Sequence, residues 1–252
     1  MADHSHDHKS DHQERQEHGG EPASALMVEL REHVPFSVSA VAIGLIAAGT
    51  ICVLGFASGH GAEGVEAHGG GEGSHGHNAA QLFFHLFHPA HMLFSAAATT
   101  AMFCRYDRNA MKAIVIGLIG AIGVCGVSDI VVPHLSLLIL GASTPWHICV
   151  LEHPGLSLPF AAVGVAVGLA ASGGVMRSTI ISHSLHVFAS TMASIFYMVG
   201  PLGIIAWIDD LGKVFIFVVV AVVIPCCLSD IVFPLFMSNS ARRRYVLEPH
   251  TH

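Results

Sequence analysis

The chain has 252 residues, 52% of them hydrophobic and only 12% charged, with a formal net charge of −7. Soluble domains carry roughly 25% charged residues, and the mean hydropathy here is +0.61. An ordinary water-soluble enzyme is thereby excluded, and so is a nucleic-acid binder. The negative charge comes mostly from tails and loops and says little about partners.

Taken in chain order, residues 1–33 form a polar tail containing "DHSHDHKSDHQERQEH", with His4, His6, His8, His12 and His18 among acids and serines. Such a composition cannot build a core and predicts a disordered, His-rich segment that binds metal ions weakly. Apolar runs follow at 36–57, 81–104, 113–140, 156–176, 179–206 and 213–238. Each is long enough to cross roughly 30 Å of hydrocarbon. No cleavable signal peptide is expected, because the first run begins only after this polar stretch.

The loop at 57–80 carries "HGAEGVEAHGGGEGSHGH", with His60, His68, His75 and His77 beside Glu63, Glu66 and Glu72, and reads as a metal antenna. The next loop on that side carries "WHICVLEHP". Its His147, Cys149, Glu152 and His153 fit either a metal at the mouth or an interfacial segment anchored by Trp146. Residues 240–252 form a short basic tail. The six cysteines contain no CxxC pair and lie mostly in apolar runs, so no disulfide framework is expected.

Arg31, Arg105, Arg108, Lys112, Arg177 and Arg242–Arg244 fall on one side of six crossings, and Lys213 on the other. The positive-inside rule then predicts that both termini are cytoplasmic, in a plasma or inner membrane. The bilayer is the expected partner, and homo-oligomerisation is left open.

Three motifs recur in the same order. "PFSVSAVAIGLIAAG" from Pro35 matches "PFAAVGVAVGLAASG" from Pro159, "HPAHMLFS" from His88 matches "HSLHVFAS" from His183, and "CGVSDIVVP" from Cys125 matches "CCLSDIVFP" from Cys226. Two three-helix repeats, 34–141 and 142–239, follow from this. An odd helix number inserts the halves with opposite orientation, a recurrent design of secondary transporters with sites near the midplane. The expected fold is therefore an all-α integral membrane protein with six transmembrane helices in two inverted-topology repeats. Pro133, Pro225 and Pro234 predict helix interruptions near the repeated aspartates.

Aspartate within a span is costly and usually functional. On α-helices, His88 and His91 share a face, as do His183 and His186, Cys125 and Asp129, and Cys226 and Asp230. Imidazole, thiol and carboxylate together form a ligand set for transition metals rather than for calcium or magnesium. The candidate metal residues are therefore His88, His91, Asp129, His183, His186, Asp230, Cys125 and Cys226. Ser95 and Ser190 read as packing or supporting groups, and His85 and His134 as structural. His91 and His186 are expected to meet near the midplane, in one central site or two stacked ones.

These features predict a carrier or channel for a divalent transition-metal cation such as zinc, nickel or cobalt, the ion being substrate, with proton coupling and no organic cofactor. Metal binding to imidazole and carboxylate releases protons. The competing readings are an intramembrane redox or oxidase metalloprotein, di-iron or haem, and a membrane metal sensor. The His-rich tracts resemble in composition those of several unrelated zinc, nickel and cobalt transporters, and no family motif accompanies them.

Overall fold

The computed structural model of the protein describes residues 22–57, 79–142, 144–171, 179–202 and 204–238. The His-rich tail, the loop at 58–78 and the basic segment at 240–252 lie outside the described residues. So does the side chain of His183, whose backbone is helical.

Every regular element among the described residues is helical. The elements are α1 (Pro22–Ala57), α2 (Ala79–Tyr106), α3 (Ala110–Ile139), the short α4 (Cys149–Glu152), α5 (Pro154–Ala171), α6 (Thr179–Leu202), α7 (Ile204–Asp209) and α8, which begins with Leu211–Cys227 and ends with Phe233–Met237. Among the described residues, five helices contain stretches long and apolar enough to cross a membrane: Val34–Ile51, Ala110–Ile139, Pro154–Ala171, Ser184–Leu202 and Leu211–Asp230. Helix α2 has the length, at 28 residues. It is more polar, because Gln81, His85, His88, His91, Ser95, Thr99 and Thr100 fall within it. Most of those polar residues are buried.

The outer surface is apolar, and the interior combines a hydrophobic core with an unusual number of buried polar side chains. Ile46, Met111 and Ile139 are 70%, 72% and 71% exposed, as expected where lipid rather than water covers the bundle. His88, His91, His186, Ser95, Ser190, Thr99 and the two aspartates of the repeated motif, Asp129 and Asp230, are buried. Without a hydrophobic drive between helices in lipid, close packing at small residues and interhelical hydrogen bonds must hold them together.

Helix α1 packs against α6, and α5 packs against α2. Glycine makes both contacts close. A Cβ on Gly44 of α1 would lie 2.5 Å from the Thr191 methyl of α6. On α5, a Cβ at Gly164 would lie 2.2 Å from the Leu93 carbonyl, and one at Gly168 would lie 2.6 Å from the Ala97 carbonyl. Helices α2 and α3 are antiparallel neighbours joined by a short turn. Asn109 closes that turn by accepting the Lys112 amide at 3.1 Å, a helix N-cap.

The expected interruptions at Pro133, Pro225 and Pro234 are absent; Pro225 lies within the regular helix Leu211–Cys227. Each helix instead runs on through one π-turn, Val127–Val131 in α3 and Leu228–Val232 in α8, both inside the repeated SDIV motif. Proline explains both. It offers no N–H, and its ring clashes with the carbonyl four residues back. Widening the ladder to i→i+5 accommodates it: Val132 N–H donates to the Val127 carbonyl and Phe233 N–H to the Leu228 carbonyl.

The carbonyl that Pro133 would have paired in this wider register belongs to Ser128, and Ser194 Oγ of α6 donates to it at 3.1 Å. In the other half, Thr99 Oγ1 of α2 donates to the Ser229 carbonyl at 3.5 Å. Serine and threonine hydroxyls from neighbouring helices commonly satisfy carbonyls that proline frees inside membranes. Here each donor comes from the opposite half of the chain.

Candidate metal centre

Each π-turn exposes an aspartate to the second helix of its own half. Asp129 Oδ2 accepts from His88 Nδ1 at 2.9 Å and from His91 Nδ1 at 2.7 Å. Asp129 Oδ1 accepts from Ser128 Oγ at 2.9 Å and from Ser190 Oγ at 2.8 Å. A carboxylate with four donors is an ionised one, since a protonated acid would need to donate. In the second half, Asp230 Oδ2 accepts from His186 Nδ1 at 2.7 Å. All of these groups are buried.

These bonds assign the tautomers. With Nδ1 protonated and committed to a carboxylate, a neutral imidazole carries its lone pair on Nε2. The two lone-pair nitrogens of His91 and His186 face each other at 2.7 Å. Two bare lone pairs at that distance repel, so a cation has to stand between or on them. In its simplest form that is one shared proton, with one ring as imidazolium donating Nε2–H to the other.

Cys226 Sγ lies 3.8 Å from His91 Nε2, and one ligand atom each of His91, His186 and Cys226 fits within 4.8 Å. Cys125, of the same half as His91, also contacts it. His88 Nε2 is buried with no hydrogen-bond partner among the described residues.

No known protein family, curated protein or solved structure matches this chain. Function has to be read from the chemistry of the site.

That chemistry is carboxylate–imidazole–cation. Histidines that ligate metals characteristically donate their second nitrogen to a carboxylate, which fixes the ring and raises its basicity. Three buried imidazoles here share that arrangement. Two buried carboxylates also demand compensation, because unpaired charge in a low-dielectric interior is costly.

Of the eight sequence candidates, the structure brings together His88, His91, Asp129, His186, Asp230, Cys125 and Cys226. The His183 side chain lies outside the described residues. The serines carry more than packing. Ser190 holds Asp129, while Ser95 faces Ser229 across the halves at 3.4 Å. Ser128, Ser194, Ser229 and Thr99 were given no role from sequence. Their signal was present, since a serine precedes each repeated aspartate and a hydroxyl recurs at equivalent positions of the two HxxH helices.

A second histidine group lies beside the start of α2. His85, His147 and His153 each offer one nitrogen within 4.8 Å of the others. His147 Nδ1 donates to Glu152 Oε2 at 2.5 Å, and Glu152 Oε1 accepts the Ile148 amide at 3.0 Å. That amide, joined by His147, holds the Glu152 carboxyl below the usual carboxylate range. Cys149, a sequence candidate for metal at the mouth, turns inward instead. Its Sγ faces Ser157 Oγ at 3.2 Å, and burial pushes its thiol above the ordinary range. His134 is structural, with Nδ1 3.4 Å from the Tyr197 hydroxyl and its ring against Trp146.

Proposed function

We propose that the protein is a membrane carrier or channel for a divalent transition-metal cation such as zinc, nickel or cobalt, exchanging the ion for protons at the His91–His186 pair. The observation that carries this reading is the 2.7 Å approach of two Nε2 atoms whose Nδ1 partners are carboxylates. Such a pair is a seat for one positive charge.

A proton fits the closed distance. A metal ion with metal–nitrogen bonds of about 2.0–2.1 Å at tetrahedral angles needs the two nitrogens about 3.4 Å apart, so the pair must open by about 0.7 Å. Binding the ion displaces the shared proton, since both nitrogens must present lone pairs. A divalent cation also neutralises the two carboxylates. Cys226 completes a nitrogen and sulfur set of the borderline-soft kind that zinc, nickel and cobalt favour.

The same reading includes six spans in two inverted three-helix repeats, with both termini cytoplasmic. Support comes from the reciprocal contacts: α1 on α6 with α5 on α2, and the Ser194–Ser128 and Thr99–Ser229 bonds. Inverted repeats place their substrate at the interface between halves, near the midplane. The His91–His186 contact lies at that interface.

The haem alternative fits less well. Axial histidines must stand on opposite faces of a macrocycle, and these nitrogens are within hydrogen-bonding distance. A di-iron site wants carboxylates on the metal, whereas both aspartates face Nδ1.

The test is ion flux into proteoliposomes with a pH-sensitive dye inside, offering zinc, nickel or cobalt in turn. Wild type should carry at least one ion with counter-movement of protons, and His186→Ala should abolish it. Equal flux in His186→Ala would overturn the proposal. A protein that binds metal without flux would be a sensor.

A further inference from the structure

We infer that His85, His147 and His153 form a second metal site, an entry site for the same class of divalent transition-metal ion, about 9 Å along α2 from the central pair. The proposal adds to the transport reading, and its binding arm stands without it. Three separate chain segments supply the ligands: His85 from α2, His147 from the loop before α4, and His153 between α4 and α5.

The two ring pairs involving His85 meet edge to face, and the His147 and His153 rings are tilted at 49°. Their centroids are 5.0–5.5 Å apart, with interplanar angles of 76° and 83° for the two pairs involving His85. In-plane lone pairs can therefore converge on one point, which stacked rings could not do. His147 is the best-defined ligand. Its Nδ1 donates to Glu152, and its Nε2 is buried with no hydrogen-bond partner among the described residues. This is the carboxylate–histidine arrangement of the central pair in a second place.

Glu152 is thus the orienting group rather than a ligand, and the Ile148 amide anchors it in turn. Cys149 Sγ faces Ser157 Oγ at 3.2 Å and also lies 4.0 Å from His85 Nδ1, beside the set. Three neutral nitrogens suit zinc, cobalt or nickel over calcium or magnesium, and they leave a coordination position for water. A site with an exchangeable position, fewer anionic groups and partial exposure is built to capture and release.

The two sites are connected along one face of α2. His85, His88 and His91 step inward three residues at a time. Phe84 stacks on His88 at 5.2 Å and touches His85 and His147 edge-on at 5.4 and 6.0 Å. An ion leaving the outer histidines meets the free Nε2 of His88 next, beside Phe84.

The experiment is Co²⁺ binding to the purified full-length protein, read by visible d–d absorbance and by equilibrium dialysis. Wild type is compared with His147→Ala/His153→Ala, Glu152→Gln and Asp129→Asn. Weak binding to the His-rich tail is common to all four and cancels in the difference spectra. The double variant should lose one equivalent of Co²⁺ and its bands while the central bands remain. Glu152→Gln should keep that equivalent with about 10–100-fold weaker affinity, as expected when a histidine loses its orienting carboxylate. Asp129→Asn should leave the outer bands unchanged.

A double variant with the wild-type stoichiometry and spectrum would overturn the proposal, as would unchanged affinity in Glu152→Gln. Flux is not a readout here. Loss of the outer bands in a protein that never transports would sink the transport reading and leave this site standing.

Discussion

Replacing Asp129 by asparagine removes the charge that seats two imidazoles while preserving the shape. Oδ2 receives His88 and His91 at 2.9 and 2.7 Å, and Oδ1 receives Ser128 and Ser190 at 2.9 and 2.8 Å. An amide can keep its oxygen toward the imidazoles and turn its NH₂ to the serines, whose hydroxyls can rotate to accept. The geometry therefore survives, and what is lost is charge. Bonds to an ionised acceptor contribute about 1.5–3 kcal/mol and neutral ones about 0.5–1.5 kcal/mol. Each imidazole bond then weakens by about 1–1.5 kcal/mol, and the pair by about 2–3 kcal/mol. At 1.4 kcal/mol per tenfold, metal affinity at the central site should fall by about 30–150-fold. Zinc titration of the purified protein in competition with a chelator measures this, the chelator masking weak tail sites. A cooperative melting transition would show that the fold is intact. Wild-type zinc affinity in a folded Asp129→Asn protein would refute the assignment of Asp129 as the carboxylate behind the ligands.

Ser190→Ala removes one donor to Asp129 and should weaken zinc by about tenfold. Ser95→Ala, whose hydroxyl faces Ser229 instead, should do less; equal effects in the same titration would refute the distinction. Gly164→Ala would set a methyl 2.2 Å from the Leu93 carbonyl and 2.8 Å from the Ala96 Cβ. Overpacking of that kind costs about 1–3 kcal/mol, so the melting temperature should drop, while Gly123→Ala, with nothing within 4 Å, should leave it unchanged. Pro133→Ala restores an N–H and should let the π-turn anneal into regular α-helix, rotating Asp129 away from His91. The expected signature is weaker zinc binding without loss of thermal stability, and unchanged affinity would refute it.

The buried His/Asp/Cys cluster was legible because charge in an apolar run is rare, and because CxxSDIVxP and HxxH recur in order. The geometry that gives it meaning was not. Spacing of i, i+4 places Cys125 and Asp129 on one face only if the helix is regular, and the π-turn between them breaks that phase. The approach of His91 to His186 depends on how α2 and α6 cross, which local periodicity does not encode. His85 read as structural because Ile180 stands at its repeat counterpart. Its partners lie in a connecting segment, where no helical period points to them. Proline at 133 and 234 predicted a disturbance in the right place. Its form, a widened turn rather than a break, followed from hydroxyls on another helix that take up the freed carbonyls.

Those carbonyl bonds bear on whether half of the chain can exist alone. Ser128 has its carbonyl capped by Ser194, and Asp129 takes one of its four donors from Ser190, so residues 34–141 leave the carbonyl stranded and the carboxylate one donor short once the later helices are removed. In hydrocarbon a stranded backbone carbonyl costs several kcal/mol. Neither half is therefore an autonomous folding unit, whatever its hydropathy suggests. A three-helix fragment expressed by itself should be cleared or should pair with a second copy offering the same hydroxyls. The two fragments produced together should find each other without a covalent link.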